Sequence, residues 1–258
     1  MSDSRAALIT GASRGIGRAI ALELAGLGHA VVVNYTSNAE AARETAGAIA
    51  AKGGRAIACQ GDVSVAADRE RLIECTLAEF GRLDVLVNNA GITSPGRVDI
   101  LQATEENWNK VFDANLKGPF FLSQRAARRM LDLIAGGTMP GAKIINISSI
   151  SAYAVSADRA DYCLSKAAMR MLTLLWAERL AAEKIQVFEV CPGVIATDMT
   201  EPVREKYDAL FAGGLAPLGR WGQPEDVARA VAALVQDYFP YSTGDRFEVD
   251  GGFHIRRL

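Results

Sequence analysis

The stretch Ala6-Ala7-Leu8-Ile9-Thr10-Gly11-Ala12-Ser13-Arg14-Gly15-Ile16-Gly17 decides the fold. A short apolar run ends in a glycine-rich turn, and a helical pattern over residues 16–27 follows with Ile20, Leu24 and Leu27 on one face. Glycines here let backbone approach a pyrophosphate, which rests on the N-terminus of the helix. The spacing is GxxxGxG rather than GxGxxG. Gly11, Ser13, Arg14, Gly15, Ile16 and Gly17 are therefore candidate cofactor contacts. Without a ligand, the same residues would make only a tight strand-to-helix turn.

Outward from this unit, β-rich runs alternate with longer helical runs. Strands are predicted at residues 6–10, 30–34, 55–59, 84–87, 143–147, 185–190 and 246–249. The run Ala30-Val31-Val32-Val33-Asn34 reads as a strand buried on both faces. Helices are predicted at 16–27, 39–52, 66–80, 161–183 and 227–235, with a long helical region opening at the Thr104 cap and disturbed by Gly118-Pro119 just after Asn115. This alternation predicts an α/β fold: one Rossmann-type, doubly wound, parallel seven-stranded sheet in a single domain over residues 1–258. No linker or repeat divides the chain. Residues 134–142 and 197–220 lack a clear period, and the second stretch is expected to form a substrate lid.

Composition narrows the class. The 258 residues are half apolar and carry a formal net charge of −2, without a long run of Lys and Arg, so no nucleic-acid partner is suggested. No apolar stretch is long enough for a membrane span, and Met1-Ser2-Asp3-Ser4-Arg5 does not read as a signal peptide. A cytoplasmic protein is expected. Cys59, Cys75, Cys163 and Cys191 are scattered, which suits reduced thiols; His29 and His254 lie far apart, so no metal site is expected.

The end of the second strand selects a cofactor. A carboxylate there would hold a ribose 2′-hydroxyl and repel a 2′-phosphate. The chain has Val33-Asn34-Tyr35-Thr36-Ser37 instead. Asn34, Thr36 and the Arg14 guanidinium favour NADP(H), with NAD(H) as the lesser expectation.

Ser149 precedes Tyr162 by 13 residues, and Lys166 follows four later, one turn along the same helix face. A hydroxyl, a phenol and an ammonium could thus meet one carbonyl oxygen. A free phenol with a pKa of about 10 is a poor acid at neutral pH until a cation lowers it. Asp158, Arg159 and Asp161 read as local surface contacts, with the shaping of a cleft entrance as the alternative.

With Thr10–Gly17, Asp62-Val63, Asn88-Asn89-Ala90-Gly91, Asn115, Ser149, Tyr162 with Lys166, and Pro192-Gly193 in order, the chain resembles a short-chain dehydrogenase/reductase. It is most similar to the 3-oxoacyl-[acyl-carrier-protein] reductases through TGASRGIGRAIA, NNAG, IINISS, PGVIATDMT and VDGG. The resemblance implies that Asp62 and Val63 border the adenine, and that Asn89, Ala90 and Gly91 line the cofactor cleft. It implies that Pro192 and Gly193 belong to the cofactor site, and that Ile195 and Thr197 meet the carboxamide. It further implies Tyr162 as general acid, Lys166 on the nicotinamide ribose, Ser149 on the substrate oxygen and Asn115 on a water leading to Lys166. The 13-residue spacing selects Ser149 over Ser148, and Ser151 is a further candidate at the substrate.

The resemblance implies NADPH-dependent reduction of a 3-oxoacyl thioester or related ketone, in a homotetramer. An acyl-carrier-protein partner is less well supported. Gly136-Gly137-Thr138-Met139-Pro140-Gly141 brings no cation, and Glu183-Lys184 stands where those reductases tend to carry arginine. The alternatives are an NAD(P)-dependent sugar or secondary-alcohol dehydrogenase and a non-catalytic nucleotide-sensing protein.

Overall fold

A computed structural model describes residues 4–256. Met1-Ser2-Asp3 of the start expected not to be a leader, and the last two residues of the expected domain, lie outside them. Seven strands form one parallel sheet: β1 (Ala6–Ile9), β2 (Ala30–Tyr35), β3 (Ala56–Gln60), β4 (Val85–Asn88), β5 (Ala142–Ile147), β6 (Ile185–Pro192) and β7 (Arg246–Val249). Their order is β3-β2-β1-β4-β5-β6-β7. The predicted sheet is therefore present, in a single α/β domain.

Strand alternation assigns the two faces. Ile9, Val33, Val87, Ile145 and Phe188 pack beneath α1 (Gly15–Gly26), α2 (Ala39–Ala50) and α8 (Pro224–Val235). Leu8, Val32, Leu86, Ile144 and Val187 pack beneath α3 (Ala66–Phe80), α5 (Gly118–Ala135) and α6 (Ala160–Leu180). Covering both faces explains the unbroken Val and Ile runs.

The disturbance expected just after Asn115 takes the form of a π-turn, not a break. The chain stays helical from α4 (Glu105–Phe112) through a π-turn at Asp113–Lys117 into α5. Pro119 falls in the first turn of α5, where a missing N–H is tolerated. Gly118 is needed for close packing: a Cβ there would stand 2.9 Å from the Val63 carbonyl oxygen. The distortion thus precedes the Gly-Pro pair and centres on Asn115, which is fully buried. Residues 201–203 form a 3-10 turn, followed by α7 (Arg204–Ala212), within the stretch expected to be a lid.

The strand order reverses between β1 and β4. In open parallel sheets that switch point leaves a crevice beyond the strand C-termini.

Two glycine substitutions test this packing. Gly47 is exposed in the middle of α2 with open space around it, so Gly47→Ala should stabilise by roughly 0.5–1 kcal/mol. A Cβ on Gly17 would lie 2.3 Å from the Gly11 oxygen, so Gly17→Ala should destabilise by roughly 1–3 kcal/mol. Chemical denaturation of the two variants checks the opposite signs.

Candidate active site

A cavity of about 820 Å³ opens at the switch point. Its floor begins at the β1 turn. Gly11 and Gly15 have φ of +62° and +54°, a region that disfavours side chains, so the turn folds tightly. Arg14 precedes α1 without capping it, and the first turn of α1 holds no acidic residue. The helix start therefore presents N–H groups without a side-chain partner, as an anion site requires. Gly11, Ser13, Arg14, Gly15, Ile16 and Gly17 all line the cavity.

Asn89 ties this turn to β4 across the reversal. Its amide donates to the carbonyls of Thr10 (2.8 Å) and Gly11 (3.1 Å), and its backbone N–H donates to the Thr10 hydroxyl (2.9 Å). Asn89, Ala90 and Gly91 line the cavity, as do Thr36, Asp62, Val63, Pro192, Gly193, Ile195 and Thr197. Asp62 also accepts from the backbone N–H (2.8 Å) and hydroxyl (2.7 Å) of Ser64, shaping its own turn.

Asn34 corrects an expectation. It is 1 % exposed and does not line the cavity. Its Oδ1 accepts from Gly11 N–H at 3.0 Å, and its Nδ2 donates to the Gly61 carbonyl at 2.9 Å. It braces the glycine turn against the end of β3. Tyr35, Ser37 and Asn38 beside it do line the cavity, and none is a carboxylate.

Ser149, Tyr162 and Lys166 converge on the same cavity from the end of β5 and the first turns of α6. The extended Ser149 caps a 3-10 turn, and its Oγ accepts from Ser151 N–H at 3.1 Å. Ser148 and Ser151 line the cavity as well. Lys166 Nζ donates to the Ile147 carbonyl at 2.9 Å and stands 5.8 Å from the centroid of the Tyr162 ring. Asn115 lies behind this group and does not line the cavity. Its Oδ1 accepts from Ile92 N–H at 2.8 Å, and its Nδ2 donates to the Ile92 carbonyl (2.9 Å) and to Ser165 Oγ (3.1 Å). Ser165 in turn donates to the Tyr162 carbonyl at 2.8 Å. A Cβ on Gly91 would stand 3.0 Å from Asn115 Oδ1 and 3.7 Å from Lys166 Nζ, so only a glycine separates the two.

Burial dominates the electrostatics. It lowers the Lys166 ammonium to about 8. It also raises the Tyr162 phenol above its ordinary value, while the Ser149 hydroxyl and the Arg159 guanidinium pull it back. The sequence-based expectation of a lowered phenol thus does not hold for the protein alone: removal of water outweighs the neighbouring groups.

Of the residues before Tyr162, Asp161 departs from the expected surface role, and Arg159 stands at the cleft, as the alternative reading had it. Asp161 is buried, accepting from Tyr162 N–H (2.8 Å) and from the Ser94 hydroxyl. Arg159 lines the cavity with its guanidinium 5.5 Å from the Tyr162 ring centroid. Arg97, Asp198 and Tyr207 are further lining residues that the sequence reading did not single out. Arg97 and Asp198 lie in segments without a period and Tyr207 on the short helix α7, and only the fold brings them to the rim. Arg14, expected to reach a 2′-phosphate, bonds Asp198 across the rim at 3.1 Å.

Among the described residues, Glu248, Asp250 and His254 are the one group with metal-ligating atoms close together. Asp250 already accepts from the N–H groups of Gly252 and His254, and Glu248 from the Tyr153 hydroxyl. These bonds account for the cluster as a brace of the C-terminal turn.

The burial of Lys166 predicts a stability effect. Its fall from 10.5 to about 8 corresponds to roughly 3 kcal/mol held against folding at neutral pH. Lys166→Met should therefore raise thermal stability below pH 8. Because the folded pKa lies below the unfolded one, the penalty fades as pH rises from 8 to 10.5, and the advantage of the variant should shrink over that window. Calorimetric melting of both proteins across pH checks the sign.

With this geometry in hand, the chain can be set beside known proteins. The family described as Enoyl-(Acyl carrier protein) reductase matches residues 11–254. A 3-oxoacyl-[acyl-carrier-protein] reductase of Synechocystis is 42 % identical over 250 residues, covering 96 % of each chain. The crystal structure of a 3-oxoacyl-[acyl-carrier protein] reductase from Brucella melitensis in complex with NAD superposes with a TM-score of 0.94 at 37 % identity, over 100 % of both chains. The angucycline C-6 ketoreductase LanV with bound NADP gives 0.86 at 34 % identity, over 96 % of this chain and 95 % of that one.

Proposed function

The chain belongs to the short-chain dehydrogenase/reductase family of oxidoreductases, and from that premise we propose that it reduces a ketone, a 3-oxoacyl thioester or a related compound, to an alcohol with NADPH. One observation carries this reading: the Ser149 hydroxyl, the Tyr162 phenol and the Lys166 ammonium share one cavity with the uncapped glycine turn.

The residues fit a dinucleotide. The open N–H groups at the start of α1 suit a pyrophosphate, and Thr36 and Ser37 at the end of β2 leave space free of negative charge. Bound there, the nicotinamide would supply a hydride. Tyr162 delivers the proton to the carbonyl oxygen, and Ser149 donates a hydrogen bond to that oxygen as charge develops. Lys166 holds positive charge beside the phenol and binds the ribose. Asn115 anchors the loop at Ile92 and steadies α6 through Ser165. Arg14 is the cation available for a 2′-phosphate, which supports NADP(H) over NAD(H). Residues 197–220 act as the lid, through the contact from Asp198 to Arg14.

Support for a homotetramer lies on the long helices. Leu164, Met171 and Leu175 share an exposed face of α6, and Phe120 of α5 contacts Trp176 beside it. An acyl-carrier-protein partner gains little support from α5: Arg125 and Arg129 there are held by Glu70 and Glu74.

Tyr162→Phe should lower kcat at least a thousandfold while NADPH still binds, read by fluorescence titration; full turnover would contradict the reading. Arg14→Ala should raise KM for NADPH about tenfold with a smaller change for NADH, as steady-state kinetics with both cofactors will show. Light scattering should return about four times the 27.5 kDa chain mass.

A further inference from the structure

The cavity collects more cations than a dinucleotide's phosphates need at its pyrophosphate end. Five cations line it: Arg14, Arg97, Lys110, Arg159 and Lys166. Arg14 pairs with Asp198 and Lys110 with Glu106. Lys166 belongs to the reacting group. Arg97 and Arg159 remain. Both are half-buried, and among the described residues neither forms an ion pair. Asp158, next to Arg159 in sequence, is bonded to the Ser156 hydroxyl and feels the charges of both Arg159 and Lys206, and Arg159 Nε donates to Ser156 Oγ at 3.3 Å, so Arg159 is oriented without a salt bridge. Of the acids lining the cavity, Asp62 is held by Ser64, Asp113 by Lys117 and Asp198 by Arg14.

The fold brings the two arginines to one rim. Ser94 and Asp161, both buried, are hydrogen-bonded and clamp the loop after β4 to the start of α6. Arg97 follows Ser94 by three residues, and Arg159 precedes Asp161 by two, so they flank one tie. Arg97 has φ of +47°, which is strained for a side-chain-bearing residue and persists where surrounding structure imposes it. Arg159 reaches the reacting end directly, 5.5 Å from the ring centroid of Tyr162. Two half-buried guanidiniums without a salt bridge, lining one cavity and one of them beside the proton donor, form a receptor for an oxyanion.

We infer that Arg97 and Arg159 bind an anionic group of the substrate, a carboxylate or a phosphate monoester within a few bonds of the carbonyl that is reduced. This rests on the carbonyl-reductase reading and narrows it to ketones that carry such an oxyanion.

The test compares matched pairs with NADPH: 3-oxobutanoate against its methyl ester, and hydroxyacetone phosphate against hydroxyacetone. The neutral acetoacetyl thioester of N-acetylcysteamine serves as a reference. In at least one pair the anion should have kcat/KM at least ten times that of its neutral partner. That ratio should fall about tenfold in Arg97→Gln and in Arg159→Gln, and fall with added salt in the wild type. Preference within only one pair identifies carboxylate or phosphate as the group bound. Ratios near one, or ratios that survive both substitutions, overturn the inference, while reduction of the thioester leaves the carbonyl-reductase reading standing. If no carbonyl is reduced, that reading fails, and calorimetric titration of the same pairs into NADP-loaded protein decides the anion site: equal affinity within both pairs overturns it. Should a variant not fold, the salt dependence of the wild-type ratio gives the answer, and a ratio indifferent to salt overturns the inference.

Discussion

The Lys166 ammonium, buried beneath the cavity and bonded to the Ile147 carbonyl, is the constraint around which the site is organised. A cation there opposes folding, because water is removed and no carboxylate pairs with it directly. Glu189 on β6 offsets part of that cost. The ammonium stands 5.8 Å from the centroid of the Tyr162 ring, whose phenol burial raises while the Ser149 hydroxyl and the Arg159 guanidinium pull it back.

The sheet beneath is built to hold that charge in place. Asn88, Asn146, Glu189 and Arg246 lie in register across β4, β5, β6 and β7, one polar row below the cavity. Asn88 donates to Asn146 and Ser123, and Asn146 donates to Thr173 of α6, each at 2.9 Å. Glu189 is fully buried, with one oxygen lacking a partner and the other 3.5 Å from Arg170. Arg170 stands one turn beyond Lys166 on α6. Buried hydrogen bonds of this kind are directional, so they fix the helix on the sheet more narrowly than apolar packing would.

Much of this was legible in the chain itself. Covering both faces of the sheet makes strands read as unbroken apolar runs, so all seven were found within a residue or two. The glycine turn and the Ser149, Tyr162 and Lys166 spacing are local patterns, which survive in a one-dimensional reading. What failed depended on distant partners. Asn34 looked like a ligand contact at a strand end, but its bonds run to Gly11 and Gly61. Asp161 looked like a surface charge before a helix, yet it is buried and bonded to Ser94, 67 positions away. A disturbance of the helix beside Asn115 was legible from Gly118-Pro119, but its form as a π-turn was not.

The most direct measurement is an NMR titration of the Lys166 Nζ resonance in the protein without cofactor. A midpoint near 8 is expected from burial of the ammonium. A midpoint at or above 10.5 would show a solvated or directly paired lysine, and would contradict the central role given to its buried charge.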